Sequence, residues 1–318
     1  MPQTLLKSPG AIQSKVSAVE FVSRPLPGNF GTEILDLDTA QVSDAGVREL
    51  LLTLYRSRFV VLRTEGLTDD AYVAFAKRLG EPIHLTKNPG DPEHPEIVRI
   101  TNIGIDTKRE PKGAAHWHTD QSFRDQVSSV TMLYSVQAPD TGGATRFCNM
   151  AAAYDALPKA MQRRIEGLTV LHLHGRSVVA RPGDHVPLPL KWLDPQKTVQ
   201  HPLVRRHPVT GQKTLYAITG TSQGIVGMEQ QAAEELLEEL CQHALQERFL
   251  AAHTHRRHDL LMWDNPTTMH SATPIAAATG DHDTRLIHRI SLHGRPPVFQ
   301  DQGDEPAAHA RTAAGSSA

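Results

Sequence analysis

The chain has 318 residues, 39% of them hydrophobic, enough for a sizeable core; at about 100–200 residues per domain this length admits one large domain or two small ones. Its 33 basic and 35 acidic residues leave a net charge of −2, which gives no electrostatic reason to expect DNA, RNA or an anionic membrane as partner. Two cysteines, Cys148 and Cys241, make no disulfide framework and fit a reducing compartment; with no apolar h-region from Met1 to Ser17 and no apolar run of about 18 residues, a cytoplasmic protein is expected.

Residues 1–18 read as a polar, flexible tail. Ser43 reads as a helix N-cap, its side chain able to accept from a free amide of the first turn. Val47, Leu50, Leu51 and Leu54 then follow at helical spacing. The short apolar run at 59–62 predicts a buried strand. Thr68 predicts a second cap, with Ala71, Phe75 and Leu79 inward and Gly80 closing the helix. Strands are predicted at 97–100, 127–136 and 168–174, with a helix at 150–157 between the last two. Residues 175–200 carry Pro182, Pro187, Pro189 and Pro195 without a period; an irregular segment this long inside a compact domain is a candidate lid. The longest helix is predicted over 229–249, with Leu236, Leu237, Leu240, Cys241 and Ala244 on one side. Strands at 260–263 and 286–292 precede a second flexible tail over 298–318. Many short strands, two early helices and one long late one do not follow the strand–helix alternation of a doubly wound sheet. They predict a fold that is mainly β with flanking helices, a sandwich or jelly roll, as a single domain over 19–297.

Eighteen histidines are present, and spacing singles out few of them. His118-Thr119-Asp120 is the one His-x-Asp. In extended chain, residues i and i+2 face the same way, so this imidazole and carboxylate can converge on an ion. Alone, the tripeptide reads first as a turn with an exposed histidine and a capping aspartate. His270 changes the balance, because it follows Trp263-Asp264-Asn265 at the end of an apolar strand. Two histidines and one carboxylate leave three metal positions open, the arrangement of non-haem iron(II) oxygenases; catalytic zinc takes three protein ligands and a water. Arg285 and Arg289, four apart, share one face of an otherwise apolar strand. Two such cations are costly unless paired. A dicarboxylate could pair one through a bidentate fork, and structural ion pairs with Asp or Glu are the alternative.

These residues stand in a longer pattern: GNFGTE at 28–33, FAKRLGE at 75–81, WHTDQSF at 117–123, TGGAT at 141–145, HPLVRRHP at 201–208, DLLMWDN at 259–265 and RLIHR at 285–289. In order and spacing the sequence resembles the taurine dioxygenase family of Fe(II)/2-oxoglutarate-dependent oxygenases, which includes alkylsulfatase and the chlorophenoxyacetate dioxygenases. The resemblance covers about residues 28–295. It implies a double-stranded β-helix (jelly roll) and Fe(II) held by His118, Asp120 and His270. It also implies 2-oxoglutarate held at its distal carboxylate by Thr145 and Arg285, O2 as oxidant, and a small anionic substrate gripped by Arg289. His84 lies near a family histidine that touches substrate. Asp120 implies hydroxylation, since related radical halogenases lose this carboxylate. The resemblance also leaves a dimer or tetramer open.

Two positions depart from the family: Ala114 stands where the taurine-binding asparagine would be, and Thr221 where a pocket phenylalanine would be. Taurine itself is therefore not the expected substrate. His172 and His174 read as core or surface residues in preference to ligands. Other readings are the same cofactor chemistry in a biosynthetic pathway, a non-catalytic jelly-roll metal-binding protein, and a zinc hydrolase, for which no third histidine or cysteine ligand and general-base glutamate stand at suitable spacing.

Overall fold

The computed structural model describes residues 20–84, 92–104, 116–174 and 198–300. In chain order the elements are β1 (Val22–Pro25), β2 (Thr32–Leu35), α1 (Asp44–Ser57), β3 (Phe59–Arg63), α2 (Asp69–Leu79), β4 (Glu81–Pro82), β5 (Val98–Thr101), β6 (Ser128–Gln137) and β7 (Thr145–Asn149). There follow α3 (Met150–Asp155), α4 (Lys159–Ile165), β8 (Thr169–His172), β9 (Val199–Pro202), β10 (Val204–Arg206), β11 (Lys213–Leu215) and β12 (Ser222–Ile225). The last are α5 (Gln230–Ala244), β13 (Leu250–His253), β14 (Asp259–Asp264), β15 (Thr268–Ala272) and β16 (Leu286–His293).

One large sheet runs β1-β2-β3-β14-β6-β16-β4, with β5 also paired to β16. The two-residue alternation of its strands sorts their side chains into two cores. Val60, Leu62, Met132, Tyr134, Leu260, Met262, Ile290 and Leu292 pack on one face with α1 and α2. Phe59, Val61, Leu133, Leu261, Trp263 and Ile287 point the other way. There they meet a three-stranded sheet, β13-β7-β15, whose Phe147 stacks on Phe59 with ring centroids 4.4 Å apart. Two sheets therefore close on a shared inner core, the jelly roll with flanking helices expected from the sequence. A third core, with Leu236, Leu237 and Leu240 of α5 and Met269 of β15, fills the space under α3 and α5.

Local signals account for most elements. Ser43 accepts a hydrogen bond from Gly46 N at the start of α1, and Thr68 does the same for Ala71 N at α2. The inward face of α2 differs from the expected one: Ala71 is half-buried, and Tyr72, Val73 and Ala76 are buried beside Phe75 and Leu79. Tyr72 decides this orientation, because its hydroxyl donates to Met132 O on β6, 2.9 Å away. The predicted helix at 150–157 is α3, and α4 follows it unforeseen. The helix predicted over 229–249 ends at Ala244, followed by a short 3-10 turn (Glu247–Phe249) and β13. Tertiary pairing explains that break, because 250–253 completes the small sheet against β7. Phe299, assigned to the tail by composition, is 1% exposed in the α1–α2 core, under the Arg48 guanidinium. Cys148 and Cys241 are buried free thiols. Among the described residues, no helix is long and apolar enough to cross a membrane. Of the candidate lid, residues 175–197 lie outside the described residues and 199–200 belong to β9. Ala114 also lies outside them.

Candidate metal centre and active site

On the inner face of the large sheet, β6 and β16 carry polar and charged side chains among the apolar ones. Register places Ser291 opposite Thr131, Arg289 opposite Leu133 and Ile287 opposite Ser135. The segment 117–122 crosses this face and bonds to β15: His118 N donates to His270 O (3.0 Å) and His270 N to His118 O (2.8 Å). Thr119, pointing away from its neighbours, donates to Thr268 O. The tripeptide is thus extended at His118, as the i, i+2 argument required, and tied to the strand that bears the second histidine.

One ligand atom each from His118, Asp120 and His270 lies within 4.8 Å of the others, the one such group of three or more among the described residues. His118 Nε2 is 3.7 Å from Asp120 Oδ1, and His270 Nε2 is 3.9 Å from Asp120 Oδ2. These separations are too long for hydrogen bonds and suit donors that share an ion between them. His118 Nδ1 sits 2.9 Å from His116 O, which leaves Nε2 free to ligate. Burial alone would raise the Asp120 pKa. Interactions with the nearby His270, Arg289 and His118 and a hydrogen bond from Thr131 outweigh it and hold the carboxyl down at about 2. Burial, then the charge of His118, pushes His270 down to about 3, towards the neutral form a metal needs.

A buried polar chain fixes the aspartate. Thr131 Oγ1 donates to Asp120 Oδ2 at 2.7 Å. Asn265 Nδ2 donates to Thr131 Oγ1, while Asn265 Oδ1 accepts from Trp263 Nε1 and from Asp120 N. The sequence placed Asn265 in a motif without a role, and nothing local marked Thr131. Asp264, next to it, faces elsewhere and engages His207 and Thr267. Gly220 is a second unforeseen residue: at φ +85° it lets the chain pass so close that a Cβ there would stand 2.7 Å from His118 Cβ and 2.9 Å from Trp117 O.

These donors sit on a jelly roll in the order that the sequence pattern led one to expect, and residues 23–291 match the model of the Taurine catabolism dioxygenase TauD, TfdA family. The chain belongs to that family. It is 31% identical over 270 residues to an alpha-ketoglutarate-dependent 2,4-dichlorophenoxyacetate dioxygenase of Cupriavidus pinatubonensis, covering 78% of this chain and 91% of the relative. Among solved structures, a taurine dioxygenase from Burkholderia xenovorans superposes with a TM-score of 0.70 at 27% identity, over 86% of this chain and 90% of the other. AAD-2 in complex with Mn(II) and N-oxalylglycine superposes with a TM-score of 0.67 at 26% identity, over 88% and 100%.

The remaining residues of the TauD/TfdA pattern fall in two places. Thr145 opens β7, and Arg285 immediately precedes β16; both are buried. Arg285 makes no ion pair among the described residues, its Nε has no partner, and burial lowers its pKa. A buried guanidinium without an anion is costly, and Arg285 has the charge and donor geometry to take one. Arg289 is half-buried, its Nε also unpartnered, and its charge reaches both Asp120 and His270. The structural ion pairs that the sequence left open for these two arginines are absent among the described residues. His84 is exposed just past β4; its charge is felt at Glu96, and it is not among the three converging residues. His172 is buried with Nδ1 2.9 Å from Thr221 Oγ1, and Thr221 in turn meets Ser122 Oγ at 2.7 Å. The Thr221 hydroxyl therefore ties the loop that bears His118 and Asp120 to β8.

Proposed function

We propose that the chain is an Fe(II)- and 2-oxoglutarate-dependent dioxygenase that hydroxylates an unactivated C–H of a small anionic substrate. The class is carboxylate, sulfonate, sulfate or aryloxy acid, with loss of the adjacent C–heteroatom bond where the carbon bears one. The observation that carries this reading is the convergence of His118, Asp120 and His270 on the same inner face as two arginines without carboxylate partners among the described residues. The three ligands would hold Fe(II) and leave positions for the cosubstrate and O2. Bound together, iron and the 2-oxo acid activate O2 and supply the oxidising power for C–H hydroxylation. Thr145 and Arg285 would hold the distal carboxylate of 2-oxoglutarate, the guanidinium through a bidentate fork. Arg289, closer to Asp120 in electrostatic reach, would hold the substrate's acid group and so orient its C–H beside the metal. His84, by the family pattern, would be a substrate contact. The relative that acts on 2,4-dichlorophenoxyacetate favours an aryloxy acid as the first substrate to try. Residues 19–297 are read as one catalytic domain, in the cytoplasm, with a dimer or tetramer as the form to look for.

The test is a substrate screen. Aryloxyacetates, alkyl sulfates and alkylsulfonates are added to the iron-loaded enzyme with 2-oxoglutarate, and succinate release is measured. A substrate of the predicted class stimulates release. Arg289→Ala raises the KM for that substrate with little change in the KM for 2-oxoglutarate. Stimulation by neutral analogues equal to that by the acids would remove the anionic substrate class.

A further inference from the structure

Thr145 does not stand alone at the head of β7. Its Oγ1 lies 2.9 Å from His255 Nε2, and His255 Nδ1 lies 3.0 Å from Ser135 Oγ on β6. His255 falls in the turn between β13 and β14 and is 4% exposed. Arg285 is close enough for its charge to act on His255. Gly143 backs the arginine: at φ +63° it leaves room where a Cβ would stand 3.3 Å from Arg285 Cδ. Arg285 is also fixed at its backbone, where Asn102 Oδ1 accepts from Arg285 N at 2.7 Å. Four side chains from separate segments thus meet at one buried place, and their one full charge is the guanidinium.

We propose that His255 is a positioning residue for the cosubstrate's distal carboxylate, setting the direction of the Thr145 hydroxyl proton. This rests on the reading of Thr145 and Arg285 as that carboxylate's site. A threonine hydroxyl has one proton to give. If His255 Nε2 accepts it, none is left for a carboxylate. If Nε2 carries the ring hydrogen and donates to Thr145 Oγ1, the threonine proton is free to point at the ligand, and Nδ1 accepts from Ser135. A neutral imidazole can adopt this tautomer with both ring nitrogens satisfied, and burial, then the charges of His253 and Arg285, holds His255 neutral by pushing its pKa down to about 3. The Ser135 hydroxyl is what makes the productive tautomer self-consistent.

The test compares two ligands on the anaerobic Fe(II) enzyme, with binding read from the visible band of the iron–2-oxo acid chelate. 2-Oxoglutarate carries the distal carboxylate, and 2-oxovalerate has a methyl in its place. In the wild type 2-oxoglutarate binds much more tightly than 2-oxovalerate. His255→Leu weakens 2-oxoglutarate by roughly tenfold, the low end for a hydrogen bond to a charged group, and leaves 2-oxovalerate unchanged. His255→Gln, which can place an amide N–H near the Nε2 position, recovers most of the loss. Ser135→Ala, a milder change should the leucine variant fold poorly, weakens 2-oxoglutarate selectively and by less. Equal weakening of both ligands, or no change in either, overturns the role of His255. A wild-type enzyme that binds both ligands equally overturns the carboxylate site beneath it.

Discussion

His118 and His270, far apart in sequence, donate to each other's carbonyls through both backbone amides, at 3.0 and 2.8 Å. Their ring centroids stand 4.2 Å apart. The spacing of two of the three proposed ligands is therefore set by a single β-bridge. Whatever distorts that bridge moves a ligand.

Gly220→Ala should do so. The new Cβ would press on His118 Cβ and on Trp117 O, from a residue held at φ +85°. Overpacking of this kind costs about 1–3 kcal/mol. Thermal denaturation with and without Fe(II) is the check: the variant should lose stability and, beyond that, lose most of the increment that Fe(II) gives the wild type. An undiminished iron increment would mean that the glycine does not hold His118 in place.

Thr131→Val keeps shape and removes the donor to Asp120 Oδ2. Loss of such an outer hydrogen bond lowers metal affinity by roughly 10–100-fold. Competition with a chelator under anaerobic conditions measures it. An affinity within a factor of two of wild type would detach Thr131, and with it Asn265, from the metal site.

A buried charge cluster should govern acid stability. Arg63 binds both Glu33 and Asp259, and Asp259 also lies 2.9 Å from His253 Nε2. Burial would raise the Asp259 pKa, but His253, Arg63 and the Arg256 amide bring it below the usual value; Glu33 is lowered as well, chiefly by Arg24. Carboxylates with depressed folded pKa values contribute stability above their unfolded pKa and lose it as pH falls through the folded one. Wild-type stability should therefore decline as pH drops through and below the ordinary carboxylate range. Asp259→Asn should cost about 3 kcal/mol near neutrality, the low end for breaking a buried pair, and flatten that decline. Denaturant melts from neutral pH to pH 3 test both statements, and an unchanged slope in the variant would contradict the second.

Phe299→Ala should destabilise the α1–α2 core by about 3–5 kcal/mol, because the ring is buried against Tyr55 and under Arg48. A change under 1 kcal/mol would return this segment to the tail that its composition suggested.

What could be read from sequence follows from the range of the interactions. His118 and Asp120 were legible because two-residue alternation is local, and Ser43 and Thr68 because capping acts within one turn. His270 needed an apolar strand nearby and the longer motif pattern. Tyr72 was missed because its partner, Met132 O, lies on a strand joined to it only by folding. β13 went unpredicted because its strand depends on pairing with β7, about a hundred residues earlier in the chain. Thr131, Asn265, Gly220 and His255 act through contacts between segments that no spacing rule connects. Their residue types, a strand threonine, a loop asparagine, a turn glycine and one histidine of eighteen, have ordinary structural uses.

In the proposed enzyme His118, Asp120 and His270 form one Fe(II) site that also accepts 2-oxoglutarate. Its most direct test is anaerobic addition of Fe(II) and 2-oxoglutarate to the metal-free protein, with Asp120→Ala alongside. A weak visible charge-transfer band is expected in the wild type, with none in the variant. A band of equal strength in both, or none in wild-type protein with iron demonstrably bound, would contradict it.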